Sequence, residues 1–384
     1  MSEDSFTEVT HESWFSRIGG AIKGILVGLL LFVVAFPLLF WNEGRAVKRY
    51  KTLKEGGGAV VSVTSESVDP ANAGKLIHTT GKADTDATLT DSVFGVSANA
   101  LKLKRVAEMY QWKETSQSKT QKKVGGGTET VKTYSYSKTW ADRPISSANF
   151  KKPTGHQNPR SIPYESAEQI ADEVTLGAYV LSASLLGRIQ NFESLPVGSD
   201  SPLLEQLEGK AKLHDAGFYI GADPASPQVS DTRIKFKVTK PTEVSVIAKQ
   251  VDSTFEPYAT KAGGTIELLQ TGVHTANAMI QKAQESNKML TWILRLVGFI
   301  LMLLGLNMIF KPLSVIADVL PILGDIVGAG TGIISFLLAA ILSLITIAIA
   351  WIVYRPLLGI ILLVVAVGLM VAIKGKLKSA KAAT

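Results

Sequence analysis

Between Ile18 and Phe40 the chain carries a single charge, Lys23. Such a run matches the roughly 20 apolar residues a helix needs to cross a bilayer. It predicts a transmembrane helix over 18–41, preceded by a polar cytoplasmic amino terminus at 1–17. Trp41 stands where an interfacial aromatic belongs, and Asn42-Glu43-Gly44-Arg45 is expected to turn the chain into water at a glycine able to take a left-handed backbone. A cleaved secretory signal is the competing reading. The run exceeds a usual signal core, the leader carries Glu3, Asp4 and Glu8, and Ala35-Phe36-Pro37 is no small-x-small site, so retention is expected.

Gly20, Gly24 and Gly28 recur every fourth residue in this helix, a spacing that lets another helix backbone approach closely. A neighbouring protomer and a helix of the same protomer satisfy it equally. Gly324, Gly328 and Gly332 repeat the spacing near the other end of the chain.

Further apolar runs predict transmembrane helices over 291–310, 327–354 and 356–373, with an interfacial linker at 311–326 and a basic cytoplasmic tail at 374–384. Lys311-Pro312 is read as the stop of the second span. The fold class expected is an integral membrane protein with four transmembrane helices and a large β-rich α+β extramembrane domain at 42–290. Roughly 250 residues are enough to bury a core of their own. The lysine-rich tail marks both termini as cytoplasmic and the domain as non-cytosolic. Trp41, Trp292, Trp351 and Tyr354 then serve as interfacial anchors on the outer side.

Within the domain, Ala59–Thr64 and Leu76–Thr80 read as strands after a flexible Gly56-Gly57-Gly58. Tyr110 and Trp112, then Tyr134, Tyr136 and Trp140, alternate at strand spacing around a basic segment broken by Gly125-Gly126-Gly127. This predicts a long hairpin with a mobile tip and its aromatics on a core face. Ser166–Gln190 reads as mostly helical, with Glu165, Glu168, Asp172 and Glu173 in a solvated first turn. Leu203–Leu207 reads as a short helix, and Thr232–Val238 with Val244–Ile247 as a second hairpin. Residues 273–290 form a helical stalk with heptad spacing, docked on its own domain or paired with another copy.

The sequence has no cysteine, which removes disulfides, thiolate nucleophiles and Cys-ligated metals. Its five histidines lie in separate segments, and no HExxH, Walker A, GxSxG or dinucleotide motif occurs. No catalytic, cofactor-binding or metal site is expected. A net charge of +7 could suggest nucleic acid, but the aromatics align within strands while the lysines crowd a loop, so nucleic acid is not expected. Anionic lipid headgroups suit those lysines better. Asp318 and Asp325, two turns apart in one helix bent at Pro321, are read as interfacial carboxylates in water; lining a cation path is the alternative.

WNEGRAV at 41–47, DSVFGV at 91–96, ALKLKRVAEMYQW at 100–112, YSYSKTW at 134–140, GHQNP at 155–159, FKPL at 310–313 and YRPL at 354–357 give the chain its resemblance to a known family. Taken in order, they resemble the LUMA family, also called the transmembrane protein 43 family. The resemblance implies one amino-terminal span, a large non-cytosolic domain and three carboxy-terminal spans. It also implies proteins of the endoplasmic reticulum and inner nuclear membrane that organise envelope proteins, with a contested cation-channel role. The cysteine-free sequence and lack of a nuclear-import signal suit a bacterial member in the inner membrane with a periplasmic domain. The function expected is that of a non-enzymatic membrane scaffold acting as a homo-oligomer, with the bilayer and other membrane proteins as partners. A channel or transporter using Asp318 and Asp325 is the alternative.

Overall fold

The computed structural model describes residues 4–198 and 211–356. Its frame is three long apolar helices: α1 (Trp14–Ala59), α3 (Ala276–Ala317) and α4 (Pro321–Tyr354), with the one-turn α2 (Ala183–Leu186) inside the β-rich domain. Each of the three is long and apolar enough to cross a membrane. The expected fourth span, the lysine tail and the short helix at Leu203–Leu207 lie outside the described residues.

The helices are longer than the spans predicted from hydropathy. α1 has 46 residues, about 69 Å at 1.5 Å per residue, more than twice the hydrocarbon thickness. Its start is capped by Ser13, whose hydroxyl accepts from Ser16 N at 3.2 Å. The helix does not turn at Gly44, and Gly56-Gly57-Gly58 is helical rather than flexible. The reason is packing: a Cβ on Gly44 would lie 2.6 Å from Tyr354 Cζ, and Gly56 sits hard against Ile266. Glycines that invite a break are used here for close approach, and tertiary contact overrides propensity. α3 likewise runs through Lys311-Pro312, and the expected linker at 311–326 is largely helix, broken only at Asp318–Leu320 before Pro321 opens α4.

α1 and α3 pack antiparallel along their length. A Cβ on Gly28 would lie 2.8 Å from Gly305 O, and one on Gly305 would lie 2.7 Å from Gly28 O. Farther along, Ala35 and Leu39 are buried against Met302, Leu306 and Ala339 of α4. The far turns of α1 and the first turns of α3 enter the domain, where Leu53, Met279 and Ile280 close a core with Leu76, Ile247 and Ile266. The stalk therefore docks on its own domain and on α1.

Two sheets make the domain. One has eight strands, ordered from Ser5–Glu12 through the long hairpin Thr128–Ala141 and Lys102–Lys122 to Thr232–Thr239 and Gly217–Ile220. The other has seven and is built on Leu76–Asp84 and Thr242–Val251. Thr232–Thr239 and Thr242–Val251 are thus not a hairpin. The first pairs with Lys102–Met109 and the second with Leu76–Ala83, so Lys240-Pro241 is a corner between sheets. Ser166–Gln190 is mainly short strands and turns, because Ala167–Ile170 is pinned to Lys102–Arg105. Its acidic cluster is no helix first turn, and Glu168 pairs with Lys104 at 3.1 Å.

On the long hairpin, Leu103 and Ala107 face the core with Phe218, Ile234 and Phe236, and Met109, of the same parity, is buried too. Tyr110 and Trp112 have the opposite parity and face away, so the aromatics form a second face rather than the core face. That face is covered by the irregular segment around His156. Beyond Gln111 the strands continue as a polar ribbon, with only Lys123–Gly127 left as the turn. At about 3.3 Å per residue the 21-residue strand reaches about 70 Å, comparable with α1. Ser5–Glu12 adds to this ribbon in register, Ser5 opposite Ser135 and Glu12 opposite Thr128. The hairpin tip and the amino terminus, which sequence reasoning puts on opposite sides of the bilayer, are side by side, with Gly126 against Trp14.

The glycine contacts rank the α1 positions. Nothing lies within 4 Å of a Cβ on Gly20, Met308 Cε is 3.8 Å from one on Gly24, and Gly28 has no room. Gly28→Leu is expected to lower stability by at least about 1–3 kcal/mol, the usual cost of overpacking, and Gly24→Leu by less. Gly20→Leu should stay within about 0.5 kcal/mol. Melting of the three variants in detergent and in nanodiscs checks this order.

Candidate functional site

At the domain end of the bundle, α1 and α3 meet through buried polar side chains. Glu43, with no exposed surface, accepts from Arg295 Nε at 2.6 Å and from Trp351 Nε1 of α4 at 2.8 Å. The Arg295 guanidinium also lies over Trp292 at 4.7 Å and over Trp351 at 5.7 Å. One carboxylate thus ties three helices, and the cation it holds is stacked on two indoles. One turn on, Asn42 donates to Thr291 O at 3.0 Å. Arg45 donates to Asn287 Oδ1 at 3.0 Å and to Thr291 Oγ1 at 3.1 Å. Asn287 donates in turn to Ala46 O at 3.0 Å. The same contacts bring Trp41, Trp292, Trp351 and Tyr354 to one end of the bundle. Trp41 and Trp292 face outward as anchors do, 56% and 67% exposed, whereas Trp351 and Tyr354 are partly buried in helix contacts.

A second cluster closes the opposite end. Asp318 is neither in water nor on one helix with Asp325: it caps α3, while Asp325 lies in the first turns of α4. The Asp318 side chain is 1% exposed and accepts from Arg17 at 2.5 Å and from Lys122, at the hairpin tip, at 2.6 Å. Lys122 also bonds the exposed Asp325 at 2.7 Å. Burial works to lower the Lys122 pKa, but its bonds to the two carboxylates prevail and raise it. Around this pair Trp14 Nε1 donates to Val315 O at 2.8 Å, Gly125 N to Val319 O at 3.1 Å, and Arg17 to Gly126 O. Gly324 packs directly on Asp318, where any side chain would collide with the carboxylate. Among the described residues Gly328 has only Ser314 near, at 3.7 Å, and Gly332 has nothing within 4 Å. Of the six packing glycines proposed from spacing, then, Gly28 and Gly324 are filled within one chain, and among the described residues nothing fills Gly20 or Gly332.

A third cluster fastens the amino-terminal strand. His156 is buried between Tyr136, stacked at 3.9 Å, and the edge of Trp112 at 4.7 Å. Its Nδ1 faces Lys152 O at 2.8 Å and its Nε2 faces Asp4 at 2.6 Å. Both partners are acceptors. Tyr136 donates to Glu114 at 2.8 Å, and burial with that bond pushes its phenol up to about 12. Among the described residues no three His, Asp or Glu side chains gather as a metal site.

Sequence reasoning missed Arg295 and Glu43. The signal was present: Arg295 is a lone cation inside an apolar run, and such residues have named partners more often than not. Its partner, in another helix, is visible only once α1 and α3 are set antiparallel.

Three outcomes are expected. Glu43→Gln leaves Arg295 buried without its counter-charge and should cost about 3 kcal/mol, read as a fall in melting temperature; Glu43→Gln with Arg295→Met should recover part of it. Lys122→Glu sets a third carboxylate beside Asp318 and Asp325 and should free the tip, seen as faster amide exchange at Lys123–Gly127. The Asp4 carboxyl is held below its ordinary value of 3.8, chiefly by the His156 hydrogen bond. A depressed carboxylate stabilises above the unfolded pKa and loses that contribution as pH falls through the folded one. The Trp112 fluorescence reporting this contact should therefore change below pH 3.8, an acid-side transition that Asp4→Asn removes.

A family model described as Transmembrane protein 43 matches residues 109–356. The mouse protein of that name is 34% identical over 370 residues, covering 93% of this chain and 91% of the mouse protein. The human protein is 34% identical over 364 residues, covering 92% and 90%. A Drosophila melanogaster homolog is 31% identical over 349 residues, covering 88% and 90%. No solved structure matches the chain. These relatives are animal proteins, and a bacterial origin finds no support in them.

Proposed function

The chain belongs to the transmembrane protein 43 family, and from that premise we propose that it is a non-enzymatic membrane organiser that works as a homo-oligomer. The observation that carries this reading is the polar ribbon. Among the described residues no further strand pairs with Ser5–Glu12 on one edge or with Lys113–Lys122 on the other. The ribbon starts in the domain and its tip touches the opposite end of an apolar bundle, so it runs the bundle's length. Open strand edges and polar side chains cannot face lipid; protein or water must line them. Neighbouring copies, aligned by their own helices, supply that lining. The matched relatives carry no enzyme name, which agrees with an organising role.

The cation-path reading needs Asp318 free to meet an ion. Buried and shared by Arg17 and Lys122, it is already neutralised, which favours a fastening role.

The chain has no cysteine, so single cysteines report cleanly. Thr7→Cys and Thr115→Cys, one on each open edge, should cross-link between copies in native membranes, and native mass measurements should give an oligomer. A monomer with no cross-link at either position would overturn the assembly.

A further inference from the structure

We infer that the domain end of the bundle holds a binding site for the phosphate group of an anionic phospholipid, formed by Arg45, Arg49, Arg188 and Lys282. These four side chains line one cavity of about 430 Å³, and among the described residues no carboxylate lines it. Apolar walls, among them Leu269 and Leu290, complete it.

The donors are only partly used. Arg49 gives one bond, to Thr265 O at 2.8 Å, and lies close enough to Arg188 to feel its charge. Arg188 gives one nitrogen to Glu267 at 3.1 Å, and Glu267 itself is shared with Ser182 and Ser184. Arg45 spends both terminal nitrogens on the α1–α3 seam, but its buried Nε has no partner. Lys282, exposed on α3, has no ion pair among the described residues. Arg188 is partly balanced by Glu267, but Arg49 and Lys282 have no ion pair among the described residues, and an anion with several acceptor oxygens takes up the donors that remain.

The depth selects a lipid over a soluble anion. Arg45 and Arg49 follow the outward-facing Trp41 by one and two helical turns, about 6 and 12 Å. That places them in and just above the headgroup layer, which is about 5–8 Å thick on each side. Leu290, 42% exposed, continues the cavity wall toward the membrane and gives an acyl chain its exit. A basic pocket between helices at this level is the chemistry that recognises phosphate headgroups.

The inference is independent of the assembly reading and is tested on the full chain in mild detergent by native mass spectrometry with added lipid. Phosphatidylglycerol should bind at least about tenfold better than phosphatidylcholine. Arg49→Gln with Lys282→Gln should remove most of that preference, and Lys282→Gln alone, at an exposed residue without a partner, should reduce it severalfold with melting unchanged. Lys235→Gln, a charge loss on a distant strand, should change nothing. Millimolar inorganic phosphate should not compete. Equal binding of the two lipids, or an unchanged preference in the double variant, overturns the site; displacement by inorganic phosphate overturns the lipid as its ligand.

Discussion

The antiparallel contact between α1 and α3 is what the rest of the molecule depends on. Two helices joined by more than two hundred residues of β-rich chain come within backbone contact at Gly28 and Gly305. In lipid no hydrophobic drive holds helices together, so close packing and satisfied polar groups must. The pair uses both, glycines at mid-length and the Glu43–Arg295 and Asn42–Thr291 contacts at the domain end. Because both helices continue past the apolar stretch, the same contact carries Leu53, Met279 and Ile280 into the domain core. The domain is built on the helices that anchor it and does not hang from a linker.

That continuity explains why the two ends of the bundle carry different chemistry. At the domain end polar groups lie between helices, where the Glu43 carboxylate has an arginine and an indole N–H. At the other end the cations come from outside the α3–α4 corner: Arg17 from the start of α1 and Lys122 from the hairpin tip, both on Asp318. A buried carboxylate with two cations is costly to expose, so the tip is held where the chain turns from α3 to α4. The ribbon is thereby fixed at both ends, at its base by the sheet and at its tip by Asp318.

Fixing a polar ribbon beside apolar helices imposes a demand on the surroundings. Toward the tip, from Thr115 to Lys122, its side chains are serines, threonines, lysines and glutamines, and among the described residues no strand pairs with that edge. Lipid satisfies none of these, whereas neighbouring protein or enclosed water does. The cationic cavity of Arg45, Arg49 and Arg188 is the complementary case, a polar site placed where headgroup phosphates are available.

The sequence by itself determined the elements whose signal is local. Apolar runs located the three described membrane helices, alternation located the long hairpin, and ordered motifs identified the family. Alternation did not decide which face of the hairpin is the core face: Leu103 and Trp112 have opposite parity and point to opposite faces, and it is Leu103 that meets Phe218, Ile234 and Phe236. Only the tertiary structure decided where helices end, because Gly44 and Gly56 are read by propensity as breaks and are used as contact points against Tyr354 and Ile266. It also decided that Thr232–Thr239 and Thr242–Val251 part into different sheets, that the amino-terminal strand joins the hairpin, and that Asp318 is a buried partner of Lys122. These depend on residues separated by as many as three hundred positions, such as Arg17 and Asp318, and the charge or glycine on one side gives no account of what faces it until the helices are packed.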